Sequence, residues 1–309
     1  MGMNVQETIA SPQVWHPQTA AEAWHLKQSL GTDSIYVSGG TLLRTQWEAG
    51  IAAMPKHFIN LSSIRGLSEI RVGESGLIIG GQVKLQACRM NTMIQRYFPM
   101  LTEALRLTAA PSIRQLATLG GNIASSIGDS LPALLGYDAE VVWFNGIEEQ
   151  LILLKDWLQI ARNLHPERLL LRVQLPFQQR EEADGLEPGH EELVHSKTKR
   201  FYAYHKVGRR EAFTPSVVTV SISGILTEAR IVKDIRIALG GGQMIPIRLE
   251  QLERELIGET VDTQTIRHAY GRVVQLYEPR EDIFASSAYR QTTAANVIAA
   301  ELWKIAAEA

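Results

Sequence analysis

Two glycine pairs constrain this chain more than any other feature: SIYVSGGTLLRT around Gly39-Gly40 and TLGGNIASSIGDSLPALLGYDA around Gly120-Gly121, about eighty residues apart. Glycine adopts positive φ with little strain, and without a Cβ it lets backbone N–H groups come close to another backbone or to an anion. Each pair therefore reads in two ways, as a tight turn between elements or as one wall of an anion cradle. In the second stretch a lone carboxylate, Asp129, stands among small residues before the chain turns apolar again. It reads either as a turn or cap residue or as an acceptor for ligand hydroxyls.

The common nucleotide signatures are missing. No GxGxxG opens a βαβ unit and no GxxxxGK[ST] is present, so neither a Rossmann site nor a P-loop is supported, and HExxH, CxxC and GxSxG are also lacking. A pyrophosphate has enough acceptor oxygens to be held by two loops at once, each giving N–H donors and a hydroxyl or amide side chain, without a lysine. Two such loops suit a long dinucleotide lying between two subdomains. At 309 residues the chain is long enough for two or three units, each with its own core. With 45% apolar residues, 21% charged and a net charge of −2, it offers no general attraction to nucleic acid or to an anionic membrane, so any ligand is recognised locally.

The single cysteine, Cys88, excludes an internal disulfide, a Cys₄ zinc site and a cysteine-ligated iron–sulfur cluster built within this chain. It reads as a small core residue rather than a nucleophile. No metal site is expected. The first residues lack a basic segment followed by an apolar one, and no apolar run reaches the ~20 residues of a membrane span, so a cytoplasmic location is expected.

TAAEAWHLKQSL predicts a helix with Thr19 as N-cap and Gly31 as its stop. HFINLSSI and GLIIGGQVKL predict strands, the latter with a further glycine pair at Gly80-Gly81, and KLQACRMNTMIQRYF and PMLTEALRLTA predict helices around Pro99. AEVVWF, EQLILL and LLLRVQLPF are strand candidates, although LILLKDWLQIA also suits a helix. Gln178 to Arg200, polar and broken by Gly and Pro, predicts a surface connection or domain boundary. FTPSVVTVSISGIL and RIVKDIRIALGGG predict antiparallel strands with Gly224 to Ala229 near their hairpin, followed by helices around Arg248–Leu256 and Thr263–Leu276 and an Ala-rich terminal helix. KTKRFYAYHKVGRR reads as a solvated basic strand, as a segment facing a cofactor or partner, or as a nucleic-acid patch, and the overall charge tells against the last.

Four segments in order resemble one family. APSIRQLATLGGNIASSIGDSLPALLGYDAEV is similar to the second FAD-binding segment of the FAD (middle) subunit of the molybdenum hydroxylases, the xanthine dehydrogenase and carbon monoxide dehydrogenase group, and VSGGTLL to the first, usually AGGTDL. FYAYHKVGRREAFTPSVVTVSISGIL resembles the start of their C-terminal domain (KxGRRxAFDIAxVS), and RIALGGGQMIPIRL with SSAYR resembles ALGGVAPTPxRA with SAxYRR. The likeness runs over nearly the whole chain.

The resemblance implies an α+β fold: a two-subdomain FAD-binding unit of the vanillyl-alcohol oxidase or CO dehydrogenase flavoprotein type, with residues 1–55 and 56–180 as its halves, and a smaller C-terminal α+β domain over 195–309. Carried over by motif, Val37, Ser38, Gly39, Gly40, Thr41 and Leu42 would hold the pyrophosphate from one side. Thr118, Gly120, Gly121, Asn122 and Ser125 would hold it from the other, with Asp129 accepting from cofactor hydroxyls and Lys206 near the flavin ring, tuning its potential. Pro111 and Arg114 match the family and equally suit a turn with its capping interactions, and His205 reads as packing or surface. No residue of this chain is required as a catalytic acid or base. The implied partners are a molybdenum cofactor-binding large subunit, a small [2Fe–2S] subunit, and NAD or another electron acceptor, with no nucleic acid and no membrane. The implied role is electron transfer through FAD in a xanthine dehydrogenase-type complex. A free-standing FAD oxidoreductase of the same fold and a flavin-free assembly module are the alternatives. The sequence departs from the family's usual form at Leu42, where Asp is common, at Gly81-Gln82, and at FTPS in place of FDIA.

Overall fold

Short β-prone runs separated by helices give the first unit a parallel sheet, because parallel neighbours need a crossover longer than a hairpin. The computed structural model describes residues 11–160, 168–177, 198–210, 216–242 and 244–308. In it β1 (Gln13–Trp15), β2 (Ser34–Val37) and β3 (His57–Asn60) lie in the order β1-β3-β2, all parallel. The crossovers are α1 (Ala20–Leu30) and α2 (Thr41–Glu48). Helix α1 starts where Thr19 Oγ1 accepts from the Glu22 amide at 3.1 Å and stops at Gly31, whose φ is 56°. Strand β3 is the central strand of this sheet, so the first unit reaches past the expected division at residues 55 and 56.

A five-stranded antiparallel sheet follows, in the order β4-β5-β8-β6-β7. Its strands are β4 (Ile70–Val72), β5 (Gly76–Gly80), β6 (Glu140–Phe144), β7 (Glu149–Leu153) and β8 (Leu169–Pro176). Between β5 and β6 the chain makes α3 (Leu85–Met90), α4 (Thr92–Tyr97), α5 (Pro99–Leu107), α6 (Pro111–Arg114), α7 (Leu119–Ala124) and α8 (Leu131–Gly136). The single helix expected over KLQACRMNTMIQRYF is two, because the Asn91 side chain accepts from the Met93 and Ile94 amides and starts a new helix there. The ambiguous LILLKDWLQIA divides into β7 and α9 (Leu154–Gln159).

The third unit is an antiparallel sheet in the order β12-β11-β10-β9, with β9 (Thr198–Gly208), β10 (Ser216–Thr227), β11 (Val232–Gly240) and β12 (Ile247–Arg248). Helices α10 (Glu250–Leu256), α11 (Thr263–Leu276) and α12 (Ser287–Glu308) complete it. The connection expected over Gln178–Arg200 lies outside the described residues as far as 197, and its last three residues begin β9. The β10–β11 hairpin turns beyond Thr227, where the Arg230 amide donates to the Thr227 carbonyl and Arg230 has φ of 61°; Gly224 is inside β10. A Cβ there would lie 2.3 Å from the Asp234 carbonyl oxygen and 2.6 Å from the Phe201 ring, so glycine serves strand packing rather than the turn.

Strand β10 shows how the units join. Val218, Val220 and Ile222 enter the C-terminal core with Ile298 and Leu302 of α12. The alternate residues Thr219, Ser221 and Ser223 are also buried. Ser221 donates to the Pro132 carbonyl at 2.6 Å, so this small-polar face rests against α8 of the middle unit instead of water. Arg236 Nε donates to Asp138 Oδ2 at 2.6 Å, and Arg248 pairs with the same carboxylate. The C-terminal sheet is thereby fixed onto the helices that carry the second glycine loop.

Candidate functional site

The glycine loops meet. Gly39 is pressed against the turn before α7: a Cβ on it would lie 2.2 Å from the Leu116 carbonyl oxygen, closer than any real contact. Gly120 is pressed equally against the third glycine pair, its Cβ position lying 2.5 Å from the Gly81 carbonyl oxygen. Across this contact Ser38 Oγ lies 2.6 Å from Thr118 Oγ1 and donates to Gln82 Oε1 at 2.9 Å. Three segments distant in sequence therefore touch at backbone distance, which only glycine permits.

Their amides differ. Gly40 has φ of 66° and begins α2 without a side-chain cap. Among the described residues, the amides of Gly39, Gly40, Thr41 and Leu42 have no acceptor. Leu42, standing where a carboxylate is common, is half-exposed and adds no side-chain acceptor. At the second loop each amide has a partner. Leu119 donates to the Val83 carbonyl, Gly120 to that of Gly81, Gly121 to Thr118 Oγ1 at 3.1 Å and Asn122 to the Thr118 carbonyl. Gly121 is exposed, and its Cβ position has only Thr118 Oγ1 nearby, at 3.1 Å. Asn122 Oδ1 accepts from Ser130 Oγ at 2.5 Å, and Gly128 lies so close that a Cβ on it would be 2.1 Å from Oδ1. Ser125 Oγ donates to the Asn122 carbonyl at 2.7 Å, and Val37 closes β2 opposite Asn60.

Asp129 and Lys206 come together as an ion pair. Lys206 Nζ donates to Asp129 Oδ2 at 2.7 Å and to the Leu107 carbonyl at 3.1 Å, and its side chain is only 1% exposed. That position sets aside a solvated reading of this lysine, although Lys199 and Tyr202 on the same strand do face water. Ser216 Oγ donates to Asp129 Oδ1 at 2.7 Å, and the Tyr204 hydroxyl donates to the Asp129 backbone carbonyl at 2.6 Å. Burial, with the Asp129 charge beside it, pushes the Tyr204 phenol well above its usual range and keeps it a donor. An ionised carboxylate offers about four lone-pair sites, so Asp129 keeps acceptor capacity beyond its two side-chain bonds. Arg114 is 5% exposed and donates to the carbonyls of Arg106, Thr108 and Ala109, fixing the turn that presents the Leu107 carbonyl to Lys206. Its role is the turn-holding one of its two readings. His205, by contrast, lies 2.9 Å from Glu301 and is half-exposed.

The sequence reading did not count Gln82, Gly81, Ser216 and Tyr204 among the site residues. Gln82 and Ser216 fall within two of the noted departures from the family's usual form, which was the available signal. Cys88 is fully buried, and desolvation pushes its thiol up to about 12. Among the described residues no cluster of metal-ligating side chains is present and no helix is long and apolar enough to cross a membrane.

Open amides at a helix start, glycines that bring the loops together at backbone distance and a buried cation–carboxylate pair fit a cofactor with a diphosphate and a polar, redox-active end. Such a set suits a dinucleotide held between two lobes. Residues 8–178 match the family described as "FAD binding domain in molybdopterin dehydrogenase", and residues 202–303 match "CO dehydrogenase flavoprotein C-terminal domain". The chain belongs to the FAD-binding subunits of the molybdenum hydroxylases; its cofactor is FAD and it is part of an oxidoreductase. It is 24% identical to the carbon monoxide dehydrogenase medium chain of Hydrogenophaga pseudoflava over 91% of this chain and 92% of that one. It is also 24% identical to the xanthine dehydrogenase FAD-binding subunit of Escherichia coli O157:H7, over 76% of each. The fold matches a chain of CO dehydrogenase from Oligotropha carboxidovorans with a TM-score of 0.82, at 21% identity and over 97% of this chain and 99% of that one.

Proposed function

We propose that this chain is the electron-passing FAD subunit of a xanthine dehydrogenase-type complex in the cytoplasm. Electrons arrive from [2Fe–2S] clusters of a small partner subunit, after substrate oxidation at the molybdenum cofactor of a large one, and leave to NAD or another acceptor. The observation that carries this reading is the combination of a flavin-dinucleotide site with a lone, fully buried Cys88. The chain can hold flavin but cannot ligate the clusters that would deliver electrons to it.

In this reading the backbone from Ser38 to Leu42 binds the diphosphate. Thr118, Gly120, Gly121, Asn122 and Ser125 form the opposite wall, and Asp129 and Lys206 meet the ribityl and flavin end. FAD, when bound, supplies both one-electron and hydride chemistry. The chain's own residues orient it, exclude water and set its electrostatics; Lys206 acts as half of a neutral pair, so its influence on the potential is smaller than that of an isolated cation. Purification from the native source with its co-purifying chains tests the proposal. The expected result is a complex with molybdenum and iron–sulfur subunits that reduces NAD⁺ with a purine. Oxidation of a purine by the isolated yellow chain would overturn the relay role, and reduction by a different substrate class would overturn the purine assignment.

A further inference from the structure

Gln82 is 5% exposed and is held between the two glycine loops, yet only one end of its carboxamide is engaged. The hydrogens of this contact can be traced. Thr118 Oγ1 accepts from the Gly121 amide, so its own hydrogen is free for Ser38 Oγ, and the Ser38 hydrogen then goes to Gln82 Oε1. With the carboxamide turned the other way, Gln82 would donate to Ser38 and Ser38 to Thr118. Thr118, 2% exposed, would then keep a buried hydroxyl hydrogen with no acceptor among the described residues. The first arrangement satisfies every hydroxyl and the second does not, which decides the orientation.

In that orientation Nε2 carries two N–H donors without an acceptor among the described residues, and it is not one of the sealed, unsatisfied atoms of the interior. It therefore keeps some contact with solvent, on a side chain bonded to Ser38, the residue just before the row of open amides that runs from Gly39 to Leu42. We propose that Gln82 is a third arm of the diphosphate site, donating from Nε2 to a phosphate oxygen of FAD. The hydrogen-bond chain from Gly121 through Thr118 and Ser38 holds its carboxamide in the donating orientation. This rests on the reading of the first glycine loop as the diphosphate site.

The test uses the full chain with whatever subunits purify with it, stripped of FAD, and measures binding of FAD and of ADP by calorimetry. Gln82→Glu keeps size and the acceptor for Ser38 but replaces the donors with a carboxylate oxygen. The expected result is a loss of about ten- to a hundred-fold in affinity for both ligands, the scale of a hydrogen bond to a charged group. Gln82→Met, neutral and similar in volume, is expected to lose affinity in the same direction with an unchanged near-UV circular dichroism spectrum, and the ³¹P resonances of bound FAD are expected to shift in both variants. Wild-type affinities and unshifted resonances in Q82E and Q82M would overturn the Gln82 role alone. Failure of ADP to compete with FAD on the wild-type protein, or full FAD retention by Gly121→Val, would overturn the diphosphate reading of the loops and the proposal with it.

Discussion

At the first glycine loop the amides of Gly39, Gly40, Thr41 and Leu42 have no acceptor among the described residues, whereas at the second those of Leu119, Gly120, Gly121 and Asn122 each have one. The letters are similar, a hydroxyl residue one or two positions before Gly-Gly, but the glycines do different work. Gly39 and Gly120 allow backbone to pack on backbone, Gly40 supplies a positive φ, and Gly121 leaves its surroundings open. The difference teaches that a glycine pair does not specify a donor row. One loop offers amides, and the other builds a wall whose polar reach lies in the side chains that follow it, Asn122, Ser125 and Asp129.

The sharpest way to break this comparison is to give the packing glycines a methyl group. Gly120→Ala must drive the backbone away from Gly81, because the contact would be 2.5 Å and no flexible side chain stands there to yield. Overpacking against backbone is expected to lower unfolding free energy by about 3 kcal/mol, together with loss of bound FAD, measured by denaturant titration and flavin absorbance. Gly121→Ala meets only Thr118 Oγ1 at 3.1 Å and is expected to keep nearly wild-type stability. Equal destabilisation by the two alanines would remove the distinction between them.

The side-chain arm is tested at the ion pair. Lys206→Met leaves Asp129 partly buried with Ser216 as its remaining side-chain donor, and Asp129→Asn leaves a fully buried ammonium held by the Leu107 carbonyl. Each single change is expected to destabilise by about 2–3 kcal/mol, below the range for a deeply buried pair because Asp129 keeps some exposure. The double variant should lose clearly less than the sum. The flavin potential separates the two directions. An uncompensated cation favours anionic reduced flavin, so Asp129→Asn should raise the potential and Lys206→Met lower it, by about 30 mV for each 1.4 kcal/mol of differential stabilisation in a two-electron couple. Shifts of the same sign in both variants would refute the pair as a unit.

A smaller effect is read at Cys88, whose thiol, pushed up to about 12 by burial, holds about one part in ten thousand of thiolate at pH ~8. Alkylation of the native protein should accordingly be slow. It should accelerate in Gly120→Ala, where Gly81 and the α3 segment behind it are displaced, and remain slow in Gly121→Ala. Fast labelling of the wild-type chain would show that α3 opens without any change at the loops.

What the sequence could reveal divides along a similar line. Thr19, Gly31 and the alternation of β10 and β11 act over a few residues, and the structure follows them. The break at Asn91 was also local, an N-cap residue inside an apparently continuous helical pattern, and was hidden by the apolar residues on both sides. The glycine loops and the Asp129 and Lys206 positions were visible through family form. Their partners were not: the acceptor of the Gly120 amide is Gly81, and the donor to Asp129 Oδ1 is Ser216, contacts created only by folding. Gln82 and Ser216 were noticed as departures from the usual pattern and not as site residues, because a substitution away from a family's habit does not reveal what it now touches.

The smallest expected effect isolates the link between the two loops. Thr118 caps α7 by accepting from the Gly121 amide and gives its hydrogen to Ser38, so a single hydroxyl serves both the wall and the donor row. Thr118→Ser keeps that oxygen and loses one methyl group, and is expected to change stability by only a few tenths of a kcal/mol. Thr118→Ala removes the cap, at a typical loss of about 1 kcal/mol, and leaves the Ser38 oxygen without its donor. If the loops act together, Thr118→Ala should weaken FAD binding by more than its stability loss requires, while Thr118→Ser binds as the wild type does. Ser38→Ala should reproduce the binding loss without the capping loss, since Gly121 keeps Thr118 as its acceptor. A Thr118→Ala variant that is less stable but binds FAD normally would mean that the two loops touch without sharing a function, and that the open amides of the first are sufficient by themselves.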